Sequence, residues 1–396
     1  MKYKTLSIKN FGPISDATVD LRAVNLFIGE QSIGKSTLAK LITIFTDHIS
    51  LCTIIKGERT FWDSLLSNYG LDIYKNDLYH IQYEMWEGEN LFHIELTPSN
   101  ITYYFKDGNK QIDKQDEISA SILKFKKIYH HEEVKKKISE DLKFDELLDV
   151  FASSLYIPAE RIIYSVLTNL MPALLLTKSA IPSPLLRFMI ELNNARAEYP
   201  NMDIKLLGIK FKHEDSGDSI ILKGTEKNIP MQVSSSGIQS VVPLILVLHF
   251  AITKREYCSF VVEEPESNLF PTKQVELLKY IIKTVKDPTR TLTITTHSPY
   301  LLSVMNNILF AGLLIEKYGD KIKKYVDEII PIDFQVNPME CSVYSLGEDI
   351  NGGVYCRSLI DEKTGMIDFN SLDQVSEELS EEFSALQNSW LNLKRK

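Results

Sequence analysis

Residues 29–37 read Gly-Glu-Gln-Ser-Ile-Gly-Lys-Ser-Thr, a full match to the pattern G-x-x-x-x-G-K-[ST]. Gly29 and Gly34 let the backbone turn tightly, so the N–H groups of Glu30, Gln31, Ser32 and Ile33 can point inward at phosphate oxygens. A helix starting at the end of the loop, through Thr37, adds the partial positive charge of its N-terminus. Lys35 has the reach for the β- and γ-phosphates, and the Ser36 hydroxyl can ligate Mg²⁺. The chemistry implied is the binding of a nucleoside triphosphate with its magnesium ion. A Gly-containing turn with an exposed lysine is the alternative, and the flanking pattern argues against it.

Three further groups extend that chemistry. Residues 259–263 are a hydrophobic run ending in Glu263, with Glu264 next. At such a strand end the first acid holds the metal ion, and the second can polarise an attacking water. Glu263 takes the metal role and Glu264 that of general base; an acidic turn before the next helix is the plainer alternative. Residues 289–298 end in His297 and Ser298, one helix further on. A β-α-β connection makes the two strands parallel and brings their C-terminal ends to one edge. His297 then lands near the γ-phosphate and the water at Glu264. Finally, Ser235, Ser236 and Gly237 precede a strongly apolar helix and offer a second anion-binding surface. One chain does not need two such surfaces for one nucleotide, whereas a second copy closing over the first does. A capped loop is their commoner use.

These residues need elements to position them. Residues 24–28 read as a buried strand and the run from 38 as a helix, so the loop has the strand–loop–helix setting it requires. Strands are expected at 3–11 and 18–21, then in a meander at 81–86, 91–96 and 101–105. Residues 110–200 change to helical spacing, through Ile118, Ile122 and Phe125 and again through Phe144, Leu147, Leu148 and Phe151. Strands resume at 205–211 and 219–223. The helix at 274–286 carries Leu277, Leu278, Ile281, Ile282 and Val285 on one face. The pattern predicts an α/β P-loop NTPase with a mixed sheet, an antiparallel β meander and a helical insertion. Its organisation reads as core at 1–108, insertion at 109–204, core again at 205–340 and an extension at 341–396. The extension has a capping box at 371–374 and a stripe of Val375, Leu379, Phe383, Leu386, Trp390 and Leu393. Such a stripe either docks on its own core, the commoner use, or binds a partner.

At 396 residues, 44% hydrophobic and 24% charged, the composition is that of an ordinary globular protein. The net charge of −9 disfavours coating by nucleic acid, although a local basic groove stays open. Lys135, Lys136 and Lys137 alternate with acids and fit a solvated helix face better than such a groove. The four cysteines have no C-x-x-C spacing, which suits a reducing compartment. No signal-peptide pattern opens the chain, and the longest apolar run, 241–252, contains Pro243 and His249 and is short for a bilayer. The expected setting is cytoplasmic, without a membrane.

The order phosphate loop, Ser-Ser-Gly, Glu-Glu-Pro-Glu, Thr-His-Ser resembles the ABC-type ATPase heads of the RecF, SMC and OLD group. Asn10-Phe11-Gly12-Pro13 resembles the "NFG" turn of their first hairpin. Residues 262–271, Val-Glu-Glu-Pro-Glu-Ser-Asn-Leu-Phe-Pro, look most like the OLD-related branch, and Tyr156-Ile157-Pro158-Ala159-Glu160-Arg161 is similar to a segment of it. The resemblance covers roughly 1–105 and 205–305. It implies ATP and Mg²⁺, and a head-to-tail homodimer or higher homo-oligomer in which Ser235 and Gly237 meet the partner's γ-phosphate. Glu263 stands where most ABC ATPases have Asp, a substitution usual in the OLD-like branch. Gln82 is either the Q-loop glutamine or a strand residue serving the hairpin. The insertion is too short for the heptad arms of SMC proteins, and 303–396 holds no Asp-x-Asp pair for a Toprim nuclease. Stand-alone heads of this kind resemble the ATPases of anti-phage systems such as PARIS and Septu. That implies a nucleotide-driven switch controlling a separately encoded nuclease or toxin effector. A RecF-like ATPase binding DNA in recombination or repair is the second reading.

Overall fold

The core is a six-stranded sheet whose alternate side chains feed two hydrophobic layers. The computed structural model describes residues 2–124, 153–166, 182–254, 257–347, 355–361, 363–368 and 377–387. Strand β3 (Val24–Gly29) lies between β14 (Thr291–Thr296) and β15 (Cys341–Leu346), and β13 (Ser259–Glu263) lies between β14 and β8 (Ser154–Ile157). All five run parallel, and β16 (Cys356–Ser358) pairs antiparallel at the edge, so the sheet is mixed. Leu26, Ile28, Phe260 and Val262 enter one layer, while Phe27 and Val261 enter the other. That alternation is what a strand covered on both faces must show.

On one side stand α1 (Lys35–Thr46), α2 (His48–Asn68) and an antiparallel sheet of order β2-β1-β4-β5-β6-β7. Its strands are β1 (Lys2–Phe11), β2 (Ile14–Leu21), β4 (His80–Glu87), β5 (Asn90–Leu96), β6 (Ile101–Asp107) and β7 (Lys110–Ile112). This is the expected meander, and α3 (Gln115–Lys124) follows it. The other side holds α5 (Ser183–Glu198), α6 (Ser236–Lys254), α7 (Pro271–Val285) and α8 (Pro299–Tyr318), all contributing to the first layer, with the short α4 (Ile162–Val166) before them. A small antiparallel sheet of β12 (Asn228–Pro230), β11 (Gly217–Leu222), β10 (Ile209–Glu214) and β9 (Asn201–Ile204) packs here too. The α/β P-loop fold with mixed sheet and meander is thus present.

Several placements differ from the sequence reading. Of the strand expected at 205–211, residues 205–208 form the turn between β9 and β10, with Gly208 at φ 65°, and only 209–211 belong to β10. Residues inside the 109–204 insertion supply β8, and residues beyond 341 supply β15 and β16, so core strands come from both segments. Both β8 and β15 are fully buried, with partners more than a hundred residues away, which no local periodicity encodes. The apolar run at 241–252 belongs to a longer helix: α6 and α8 are each long and apolar enough, by length and composition, to cross a membrane. Burial explains α6, since 72% of its apolar window is inside the protein, against 39% for α8.

Residues 377–387 are helical, yet Leu379, Phe383 and Leu386 are 60%, 61% and 64% exposed, so this part of the terminal stripe is not docked on the core. The rest of that stripe, the capping box, Phe125 and the 132–151 positions of the insertion lie outside the described residues.

Gly312 sits inside α8, where a Cβ would lie 2.1 Å from the Val336 carbonyl oxygen. In an open helix Gly→Ala gains about 1 kcal/mol. Here overpacking against backbone reverses the sign, and Gly312→Ala should lose about 1–3 kcal/mol. Urea unfolding of the two proteins checks the sign.

Candidate nucleotide site

The loop between β3 and α1 is built on backbone that side chains resist. Gly29 has φ 144°, and a Cβ there would meet Ile33 Cδ1 at 2.3 Å and the Leu346 carbonyl at 2.5 Å. Gly34 has φ 99° at the cap of α1, with Ile14 Cγ1 at 2.9 Å from where its Cβ would be. Both glycines are therefore required by conformation and by close approach. The Tyr355 hydroxyl donates to the Ile33 carbonyl, pinning the loop from a distant part of the chain.

Lys35 is buried, and its Nζ donates to the carbonyls of Gly29 (2.8 Å) and Glu30. Burial lowers its pKa to about 8, opposed by the charges of Glu264, Glu263 and Glu266. Ser36 is exposed at the first turn of α1, close enough to Glu263 for its hydroxyl to act on that carboxyl.

Glu263 ends β13 in a buried position, and burial raises its pKa. The Tyr156 hydroxyl donates to its Oε2. Its Oε1 is buried with no hydrogen-bond partner. A buried carboxylate oxygen left unpaired beside a serine hydroxyl fits a hard divalent cation. Magnesium would be held here by Ser36 and Glu263, and would neutralise phosphate charge.

Glu264 turns away from the strand with φ 40°, a left-handed conformation that costs energy for a non-glycine residue. Its Oε1 lies 3.2 Å from His297 Nε2, and its Oε2 accepts from the Ser267 hydroxyl at 3.2 Å. The hydrogen bond from His297 is the main reason its carboxyl is held below the usual range, against the opposing effect of burial. An ionised carboxylate at neutral pH is what a general base needs. His297 is itself fixed from behind. Glu266 Oε1 accepts from the His297 N–H at 2.8 Å and from the Thr296 hydroxyl at 2.6 Å. Ser298 caps α8, accepting from Tyr300 N–H at 3.2 Å.

A cleft of about 190 Å³ gathers these groups. It is lined by Gln31, Ser32, Gly34, Lys35, Ser36 and Thr37 on the loop, with Glu264 and His297 opposite and Pro13 and Tyr74 at its side. Ser235, Ser236 and Gly237 do not line it. Ser235 and Ser236 are exposed at the start of α6, and Gly237 is pressed against Asn268, whose carbonyl would lie 2.8 Å from an added Cβ. Gln82 does not line the cleft either; its amide donates to Glu84 Oε1 at 3.1 Å within the meander.

Three site residues went unassigned in the sequence. Tyr156 and Glu266 are described above. Arg161 is fully buried, and its guanidinium donates to the carbonyls of Glu263 (2.8 Å), Glu264 (2.7 Å), Pro265 (3.3 Å), Pro158 (2.9 Å) and Ser240 (3.1 Å). Burial lowers its pKa to about 10, opposed by Glu266, Glu264 and Glu263. The only signals were the Tyr156–Arg161 segment and the second acid of Glu264-Pro265-Glu266, neither of which has a spacing rule.

A glycine-bound phosphate loop facing two strand-end carboxylates defines a P-loop ATPase-type site. Residues 1–302 match the AAA ATPase domain family (AAA_15), and the chain belongs to that family. No curated protein matches it. Among solved structures it is similar to the SMC head domain from Thermotoga maritima, with 14% identity over 77% of this chain and 92% of that one and a TM-score of 0.38. It is also similar to an SmcHead bound to the C-winged helix domain of ScpA, at 12% identity, 91% and 98% coverage and a TM-score of 0.47. A third is the Smc head domain with an extended coiled coil bound to the C-terminal domain of ScpA, from Pyrococcus furiosus, at 14% identity, 96% and 99% coverage and 0.41.

The lowered pKa of Lys35, about 8 in the nucleotide-free chain, gives a pH signature. Phosphate charge favours the protonated amine, so the pKa rises on binding. ATP binding should take up protons above pH 8 and weaken as pH rises further. Calorimetry in buffers of different ionisation enthalpy measures the uptake, and Lys35→Arg should abolish it.

Proposed function

We propose that this chain hydrolyses ATP at a composite site formed by two copies, and uses the cycle as a switch. The observation that carries the reading is Glu264 held ionised 3.2 Å from His297 across the cleft from Lys35 and Ser36. In it, the loop residues Gly29 to Thr37 bind the triphosphate, and Ser36 with Glu263 hold Mg²⁺. Glu264 takes a proton from water as the water oxygen bonds to the γ-phosphorus. The bond to the ADP oxygen breaks, and ADP and phosphate leave. His297 meets the γ-phosphate and keeps Glu264 oriented. The exposed Ser235 and Ser236 and the half-buried Gly237 lie outside their own chain's cleft, which supports a role on a partner's nucleotide in a head-to-tail dimer or higher homo-oligomer. The division of the chain into an ATPase core with a helical insertion and a C-terminal extension goes with this reading.

For biological purpose we propose the regulatory ATPase of a bacterial anti-phage system acting on a separately encoded effector in the cytoplasm. Its support is the OLD-like string Glu263-Glu264-Pro265-Glu266.

Loss of a general base costs about 10²–10⁴ in rate and leaves binding largely intact. Glu264→Gln should therefore stall turnover and accumulate an ATP-bound oligomer on gel filtration, whereas Lys35→Ala should form none. Wild-type turnover in Glu264→Gln would remove Glu264 from its role. Co-purification with the product of a neighbouring gene tests the switch. Tight, salt-sensitive binding of duplex DNA by the isolated protein, with no protein partner, would favour the repair reading instead.

A further inference from the structure

Arg161 occupies a position that the catalytic roles above do not use. It carries a fully buried charge, yet every hydrogen bond recorded for its guanidinium goes to a backbone carbonyl. Three of those carbonyls belong to Glu263, Glu264 and Pro265, the turn that presents the general base. A fourth belongs to Ser240 in α6, the helix that opens with Ser236 and Gly237. A planar guanidinium with donors in a fixed fork holds such partners at set distances and angles.

Two other contacts tie the same pieces together. Pro243 has no N–H, so the Gln239 carbonyl lacks the donor that an α-helix normally gives it four residues on. The Ser165 hydroxyl, one turn after Arg161, donates to that carbonyl at 2.7 Å. Gly237 abuts the Asn268 carbonyl just beyond the glutamate turn, and Asn268 is left-handed at φ 64°. The first turns of α6 and the 263–268 turn are therefore tied to each other through Arg161 and the Gly237–Asn268 contact. Glu264 needs this restraint, since its own φ of 40° is unfavourable.

We propose that Arg161 is a positioning residue that couples the two sites of the dimer. Through its fork, docking of the Ser-Ser-Gly turn on a second copy's nucleotide sets the position of Glu264 in the same chain. Each copy then completes its own water-activating geometry only after engaging the other's ATP. The inference rests on the composite-site reading, and the tests separate the two.

Arg161→Lys keeps the charge and loses the fork. A misplacement of about 1 Å at a catalytic group costs about 10²-fold. The variant should accordingly lose about a hundredfold in kcat, with KM within about threefold and ATP-dependent association retained. A kcat within threefold of wild type, or a raised KM with unchanged kcat, overturns the coupling. A second experiment leaves Arg161 intact, and decides the matter if the lysine variant does not fold. Lys35→Ala protein, isotopically labelled, is mixed with Glu264→Gln protein and ATP, so that only the Glu264→Gln copy holds nucleotide. Hydrogen exchange is then followed at residues 263–268 of the Lys35→Ala copy. Coupling requires those amides to become protected on adding ATP, although that copy's own loop is empty. Formation of the mixed pair without protection overturns the coupling alone. Failure of any pair to form with ATP overturns the composite site, and the coupling with it.

Discussion

Everything at this site depends on the parallel register of three strands. Ile28 pairs with Thr296, and Thr295 pairs with Glu263. Gly29, which closes β3 paired with Leu346, therefore leaves the sheet at nearly the same level as His297 and Glu264, each one residue past the last pair of β14 and β13. Spacing between neighbouring strands of about 5 Å then fixes their lateral separation. A slip of one residue in either pairing would turn the side chains to opposite faces and scatter the constellation. The apolar layers on both sides resist such a slip, because residues such as Phe260, Val261 and Val262 have no exposed face to move to.

Burial and hydrogen bonding together shift the neighbouring carboxyls of one turn in opposite directions. Glu263 and Glu266 are desolvated and pushed up, while Glu264, partly open to the cleft, is held down by His297. The three acids thus differ in environment although they share one short turn. Glu263 keeps a buried oxygen without a hydrogen-bond partner, Glu264 is held down beside His297, and Glu266 Oε1 accepts from the His297 backbone N–H and the Thr296 hydroxyl. Lys35 and Arg161 supply the positive charge that makes such a density of carboxylates tolerable.

Local chemistry was enough to read the phosphate loop, the two glutamates, His297 and the parallel strands carrying them. A left-handed cap demands glycine, strand ends need no distant information, and one amphipathic helix between two strands fixes their relative direction. For the same reason the meander was legible, since its alternating burial is written in nearest-neighbour residues. The terminal stripe shows the limit of that kind of reading: its spacing marks an apolar face but not what covers it, and Leu379, Phe383 and Leu386 are exposed.

Tertiary structure alone decided the rest. Only folding brings β8 and β15 into the core sheet, sets the Leu346 carbonyl against Gly29 and brings the Tyr355 hydroxyl to Ile33. Only folding gives Tyr156 to Glu263, Glu266 to His297 and Arg161 to five carbonyls. The sequence determined which side chains could do the chemistry, because that is a property of residue type and short-range geometry. The backbone groups and long-range neighbours that hold those side chains in place carry no residue signature, and were determined only when distant strands closed on one another.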